Sequence, residues 1–129
     1  MAAEPMRILI VDDDVDTARM MRALLKPEGY AIRIEHDGLA TVEAARSFDP
    51  DVVLMDLTLP GMNGTEAAEA IRALPPRAGC TILAVSGFEA PAEGPASPFD
   101  GHYVKPVRHD ALLAHLRRID AARSTVGDA

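Results

Sequence analysis

A chain of 129 residues has room for one compact domain with its own core and none for a second folded module. Its 13 basic and 20 acidic residues give a formal charge of -7, a surface that repels nucleic acid phosphates and argues against direct DNA binding by this domain. The single cysteine, Cys80, cannot form an internal disulfide, and neither a signal-peptide pattern nor an apolar run of about 18 residues occurs, so a soluble cytoplasmic protein with no membrane partner is expected.

Along the chain, an apolar run at Arg7 to Val11 reads as a first strand and ends on Asp12, Asp13 and Asp14. A first helix follows over Val15 to Lys26, with Ala18, Met21 and Leu25 on one face, Met20 and Leu24 widening it, and Pro27 and Gly29 stopping it. Ala31 to Glu35 reads as strand two, and Leu39, Val42 and Ala45 mark the second helix. Asp51 to Met55 is strand three, closing on Asp56; Ala67, Ala68, Ile71 and Leu74 mark the third helix. Thr81 to Val85 is strand four, followed by Ser86 and Gly87. Cys80, just before it, reads as a small buried residue. Gly101 to Val104 is strand five, followed by Lys105 and Pro106, and Leu112, Leu113, Leu116 and Ile119 mark the last helix.

Strict alternation with near-continuous apolar strands predicts an α/β fold, a parallel five-stranded sheet covered by helices on both faces. The core is expected over about residues 6–120 of a single domain 1–129, with both ends frayed and no sign of a missing effector domain. One connection breaks the rhythm. Between strands four and five, where a helix is due, Pro91, Gly94, Pro95 and Pro98 interrupt the segment Phe88 to Phe99; each proline costs about 3 kcal/mol inside a helix, so a loop or single turn is expected.

Asp12 and Asp13, Asp56, Ser86 and Lys105 are far apart in sequence, yet each lies at the C-terminal end of a predicted strand. Open parallel sheets bind ligands just beyond those ends, so the fold would gather all of them. Singly, each has a duller explanation: a solvated turn with Asp14 capping the next helix, a turn serine satisfying backbone groups, an exposed lysine held extended by Pro106. Together they form a device. Three clustered carboxylates call for a hard divalent cation, Mg²⁺ first and Mn²⁺ as an alternative, with Asp13 and Asp56 as direct ligands, Asp12 as a ligand or through water, and the Thr58 backbone carbonyl in reach. Asp56 would then attack phosphorus in line, Lys105 would neutralise transferring oxygens, and Ser86 would donate to the product phosphoryl.

The motifs Ile8-Leu-Ile-Val-Asp-Asp13, Asp51-Val-Val-Leu-Met-Asp56, Leu59-Pro60 with Gly64, Ser86-Gly87 and Lys105-Pro106 resemble the bacterial response-regulator receiver (CheY-like) family over essentially the whole chain. The resemblance implies a flavodoxin-like doubly wound sheet of order 2-1-3-4-5. It also implies two-component signalling, in which a histidine kinase or histidine phosphotransferase donates the phosphoryl group and an unknown protein receives the output. The receiver would catalyse its own transfer and dephosphorylation without turning over a separate substrate. The family's switch position, three residues before the lysine, is His102, and Tyr103 beside it could share that role. The surroundings of Lys105-Pro-Val107 are similar to receivers of hybrid kinases, so a stand-alone chain and a hybrid fragment both remain open.

Two further expectations concern the interrupted connection. Residues 88 to 100 would order when Ser86 engages the phosphoryl group, and Phe88 would hinder the hydrolytic water and prolong the phosphorylated state. Competing chemistries fit less well. A haloacid-dehalogenase-type pair at Asp12 and Asp14 has Asp16 where Thr or Val is usual, and an EF-hand starting at Asp12 has Thr17 in place of Gly and Ala23 in place of the bidentate Glu. A receiver fold that binds partners without phosphorylation is the rival from another class. His36, His109 and His115 lack ligand-like spacing and are assigned no metal.

Overall fold

The computed structural model describes residues 4–74, 80–87 and 97–127, the side chains of 124–127 excepted. Five strands, β1 (Arg7–Val11), β2 (Ala31–Glu35), β3 (Val52–Asp56), β4 (Thr81–Ser86) and β5 (Gly101–Val104), form one parallel sheet in the order β2-β1-β3-β4-β5. The described helices are α1 (Val15–Leu25), α2 (Gly38–Phe48), α3 (Gly64–Arg72) and α4 (His109–Gly127), with a 3₁₀ turn over Lys26–Glu28 after α1. Pro27 sits within that turn and Gly29 closes it at φ 89°, so the two residues stop the helix in sequence.

Alternate strand residues feed two cores. Leu9, Val11, Val53, Met55 and Ile82 pack under α2 and α3, whose contacts are the small side chains Ala44, Ala45, Ala67 and Ala68 with Ile71. Ile8, Ile10, Val52, Leu54 and Leu83 point the other way, against Ala18 and Leu25 of α1 and Leu112 and Leu116 of α4. This two-sided burial explains the continuous apolar runs of the central strands and places the chain among flavodoxin-like doubly wound folds.

Several details differ from the sequence expectation. β3 starts one residue later and ends on Asp56, and β4 extends to Ser86, so both polar residues are the last rungs of their strands. Asp51, freed from the strand, ties its start instead: its carboxylate accepts from the Arg7 amide at 2.9 Å and its carbonyl from the Thr81 amide at 2.9 Å. On α2 the buried face is Thr41, Ala44 and Ala45, while Leu39 is 68% exposed. The rotation is set at Gly38, where an added Cβ would lie 2.4 Å from the Met62 carbonyl oxygen, and by Asp37, which accepts from the Ala40 amide at 2.7 Å. On α1 the predicted core residue Met20 is 70% exposed.

Both described ends take part in the fold. Met6 is fully buried, and α4 runs to Gly127, past the point where fraying was expected to begin, with Arg123 donating to the Glu4 carbonyl at 2.7 Å and to Asp120 at 3.0 Å. Cys80 is half-buried against the α2 and α3 core. Between β4 and β5 none of the described residues is helical, and the prolines expected to exclude a helix, except Pro98, fall in 88–96, outside the described residues.

Candidate functional site

The site lies where β1, β3, β4 and β5 end. Asp12 follows β1, and its amide donates to the Glu35 carbonyl at 3.1 Å, continuing the β1–β2 ladder by one rung. Its carboxylate is 5% exposed; one oxygen accepts from the Asp14 amide at 2.9 Å and the other from Lys105 Nζ at 3.1 Å. Asp13 is exposed beside it. Asp14 caps α1 through the Asp16 and Thr17 amides, and the Thr17 hydroxyl and amide hold its carboxyl below the usual range.

Asp56, also 5% exposed, accepts from the Thr58 amide at 3.0 Å on one oxygen and from Lys105 Nζ at 3.3 Å on the other. One carboxylate oxygen from each of Asp12, Asp13 and Asp56 lies within 4.8 Å of the other two. Such a cluster could hold a hard divalent cation, and an all-carboxylate oxygen set suits Mg²⁺. Lys105 reaches the cluster because its amide donates to the Ser86 carbonyl at 2.7 Å, which fixes the chain as it leaves β5; the following Lys105–Pro106 bond is cis.

Asp56 and Lys105 respond to this setting in different ways. Burial raises the Asp56 carboxyl above its ordinary value and the Asp12 charge adds to the rise, against the Thr58 amide and the Lys105 ammonium. Lys105 loses solvation too, which alone would lower it, but hydrogen bonds and charge from Asp12 and Asp56 carry it above 10.5. The shared Lys105 ammonium does not offset the burial of Asp56. The site carries an unmet demand for positive charge, the demand a divalent cation would meet.

Ser86, 4% exposed, has its hydroxyl 2.8 Å from His102 Nε2. Tyr103 is not brought to Ser86: it packs on the α1 and α4 side, its hydroxyl 2.6 Å from Nδ1 of His115. Strand alternation separates the two neighbours, because His102 pairs with Ala84 on the Ser86 side and Tyr103 with Val85 on the other. Phe88 lies outside the described residues. Thr58 is exposed at the start of the loop after β3.

One contributor escaped the sequence reading, and a second was named there without its contact. His36 donates from Nδ1 to the Asp12 carbonyl at 2.9 Å, a contact foretold only by β2 lying beside β1. Gly64 opens α3 so close to β3 that an added Cβ would sit 2.2 Å from the Asp56 carbonyl oxygen. Beside the carboxylates a cavity of about 420 Å³ opens, walled by Ala18, Met20, Met21, Pro106 and Val107 and bordered by Asp12 and Lys105.

Comparison with known families decides what this arrangement belongs to: residues 8–117 match the response regulator receiver domain. The chain belongs to that family. As a receiver it is a component of two-component signalling. It is 35% identical over 114 residues to the DNA-binding response regulator MtrA of Mycobacterium tuberculosis, covering 86% of this receiver and 49% of that protein. The chain thus spans about half the length of the curated relatives it matches. Among solved structures, a chemotaxis response regulator of Vibrio cholerae superposes with a TM-score of 0.81 at 29% identity, covering 89% of this receiver and 98% of that chain. The receiver domain of a Pseudomonas aeruginosa sensor histidine kinase superposes with a TM-score of 0.78 at 26% identity, over 88% of this receiver and 96% of that chain, and was solved with a magnesium ion in its active-site cleft. No helix among the described residues is long and apolar enough to cross a membrane.

Proposed function

We propose that this receiver accepts a phosphoryl group on Asp56 from a phosphohistidine of a histidine kinase or histidine phosphotransferase, and that the modified site changes its affinity for a protein partner. The carrying observation is the position of Lys105 Nζ, 3.1 Å from Asp12 and 3.3 Å from Asp56, residues 93 and 49 positions away in sequence. An ammonium so placed faces the oxygens of an incoming phosphoryl group.

Asp13 and Asp56, Asp12 directly or through water, and the Thr58 carbonyl would hold the metal. Bound there, Mg²⁺, or Mn²⁺ in its place, supplies positive charge that lets an anionic phosphoryl group approach three carboxylates. An Asp56 oxygen attacks phosphorus as the phosphorus–nitrogen bond of the donor breaks; the imidazole leaves with that electron pair and an acyl phosphate remains. Lys105 balances charge on the transferring oxygens, and Ser86 donates a hydrogen bond to the product.

The receiver promotes its own phosphorylation and hydrolysis and turns over no separate substrate. It acts in the cytoplasm through protein contacts rather than nucleic acid, in keeping with its net charge of -7. The phosphohistidine donor approaches over α1, where exposed Val15 and Met20 and the adjoining cavity offer an apolar surface beside the carboxylates. Intact mass after incubation with acetyl phosphate and Mg²⁺ tests the central role: one phosphoryl adduct is expected on the wild type and none on Asp56→Asn. An adduct on both would remove Asp56 as acceptor, and a purely constitutive binder would keep its partner affinity in the variant.

A further inference from the structure

The contact between Ser86 and His102 has a polarity with consequences for the site. A serine hydroxyl carries one proton, and an imidazole nitrogen either accepts or donates, never both. Where Nε2 is bare, the hydroxyl proton across the 2.8 Å contact is spent on the imidazole. Where Nε2 carries a proton, Ser86 Oγ becomes the acceptor and its own proton can turn elsewhere. The strand order places Asp56 on the other side, since β4 lies between β3, which ends on Asp56, and β5, which carries His102. Ser86 is the last rung of β4 and pairs with Val104, its carbonyl holds the Lys105 amide at 2.7 Å, and the preceding carbonyl of Val85 accepts the Leu57 amide at 3.1 Å. Ser86 is thereby held between the chain leaving Asp56 and the chain leading to Lys105, and His102 stands on its far side, one pleat back beside Ala84.

We infer that His102 is a positioning residue that sets the direction of the Ser86 hydroxyl proton: Nε2 accepts it in the resting receiver and, once the phosphoryl group is in place, carries a proton of its own and donates to Oγ. The inference rests on Asp56 phosphorylation as proposed above. The rearranged chain runs Nε2–H to Oγ, then Oγ–H to a phosphoryl oxygen, and each bond polarises the next. The proton gained at Nε2 comes from solvent, and Ser86 keeps its single proton throughout, so the count balances. No bond to carbon or phosphorus changes. His102 thus makes the hydroxyl available only when an anionic acceptor appears, whereas Tyr103, on the opposite face, takes no part.

The test uses the whole chain labelled with ¹⁵N, with magnesium chloride, beryllium chloride and sodium fluoride supplying a stable mimic of the phosphoryl group. Long-range imidazole correlations report the state of each nitrogen of His102. Nε2 is expected to move from the range of a bare acceptor to that of a protonated donor when the mimic binds, and Ser86→Ala should abolish that movement. A Nε2 that keeps one state throughout overturns the inference. The affinities of two variants separate positioning from packing. His102→Leu should weaken the mimic about tenfold, the loss expected for one misdirected charge-assisted hydrogen bond, while His102→Gln, whose amide N–H can still donate, should stay near wild type. The reverse order would assign His102 a packing role only. A wild type that forms neither the mimic complex nor the acetyl phosphate adduct would bring down the phosphorylation reading itself, whereas a complex with an unchanged His102 would bring down this inference alone.

Discussion

Lys105 and the buried carboxylates show what one side chain can and cannot balance. Its ammonium bridges Asp12 and Asp56 and is itself held charged by them, yet Asp56 remains raised by burial. The opposite face of the sheet carries a second titrating contact, far simpler in its consequences. Burial, with a smaller contribution from the Arg118 charge, lowers the His115 imidazole beneath its ordinary 6.5. As the pH falls, the unfolded chain therefore takes up this proton before the folded one does. The stability contributed by neutral His115 is complete above 6.5 and is lost as the pH falls through the lower folded-state value. The urea midpoint is expected to drop between about pH 7.5 and about pH 5, and His115→Gln should make that drop shallower. An identical pH profile in the variant would show that His115 carries none of the acid sensitivity. At this scale Asp12, Asp13, Asp56, Ser86 and Lys105 were legible because each ends an apolar run. Which of His102 and Tyr103 faces Ser86 was not, since two neighbours in a strand differ only in the face they take.

Among the elements, α3 has the tightest seat. Asn63 and Glu66 form a reciprocal cap at its start, and Gly64 follows with the backbone of Asp56 and Leu57 against it. The atoms that a Cβ would meet at 2.2 and 2.7 Å are main-chain atoms of Asp56 and Leu57, which no side-chain rotation can clear. Gly64→Ala is expected to lower unfolding stability by roughly 1–3 kcal/mol and to slow labelling of Asp56 by acetyl phosphate, with Thr65→Ala, on the exposed side of the same turn, as the control. Equal urea curves for the two variants would show that helix and strand part without cost. The glycine was visible in the sequence beside Leu59-Pro60, but its closeness to Asp56 depends on how α3 lies on the sheet. The same holds for α2, where counting large apolar residues selected Leu39 while the actual contact uses alanines and a threonine that let the helix sit close. Past the interrupted connection, Arg72 of α3 donates to the Pro98 carbonyl at 3.0 Å and pairs with Asp100 at 2.5 Å, while Asp100 also accepts from the Ile82 amide at 2.9 Å. That tie fixes the entry to β5, and a separation of 28 residues without any pattern left it invisible beforehand.

For the whole molecule, the alternation of strand and helix was enough to predict a parallel sheet covered on both faces and the edge where the site forms, whereas the strand order came from the family resemblance and is the order observed. Which outer surface meets a partner depends on what packing leaves exposed. Met20, read from periodicity as a core residue, instead stands out from α1 over the cavity that Asp12 and Lys105 border. An exposed, flexible thioether beside an apolar hollow is a surface suited to another protein and of little use to a molecule as small as acetyl phosphate. Met20→Glu separates the two kinds of donor, since a charge buried in an apolar contact costs at least about 1.4 kcal/mol, or tenfold in affinity. Transfer from a phosphorylated histidine phosphotransferase should slow by about that factor at subsaturating donor, while labelling by acetyl phosphate proceeds at the wild-type rate. Slowing of both reactions would instead place Met20 in support of the carboxylates, and slowing of neither would move the donor to another face of the receiver.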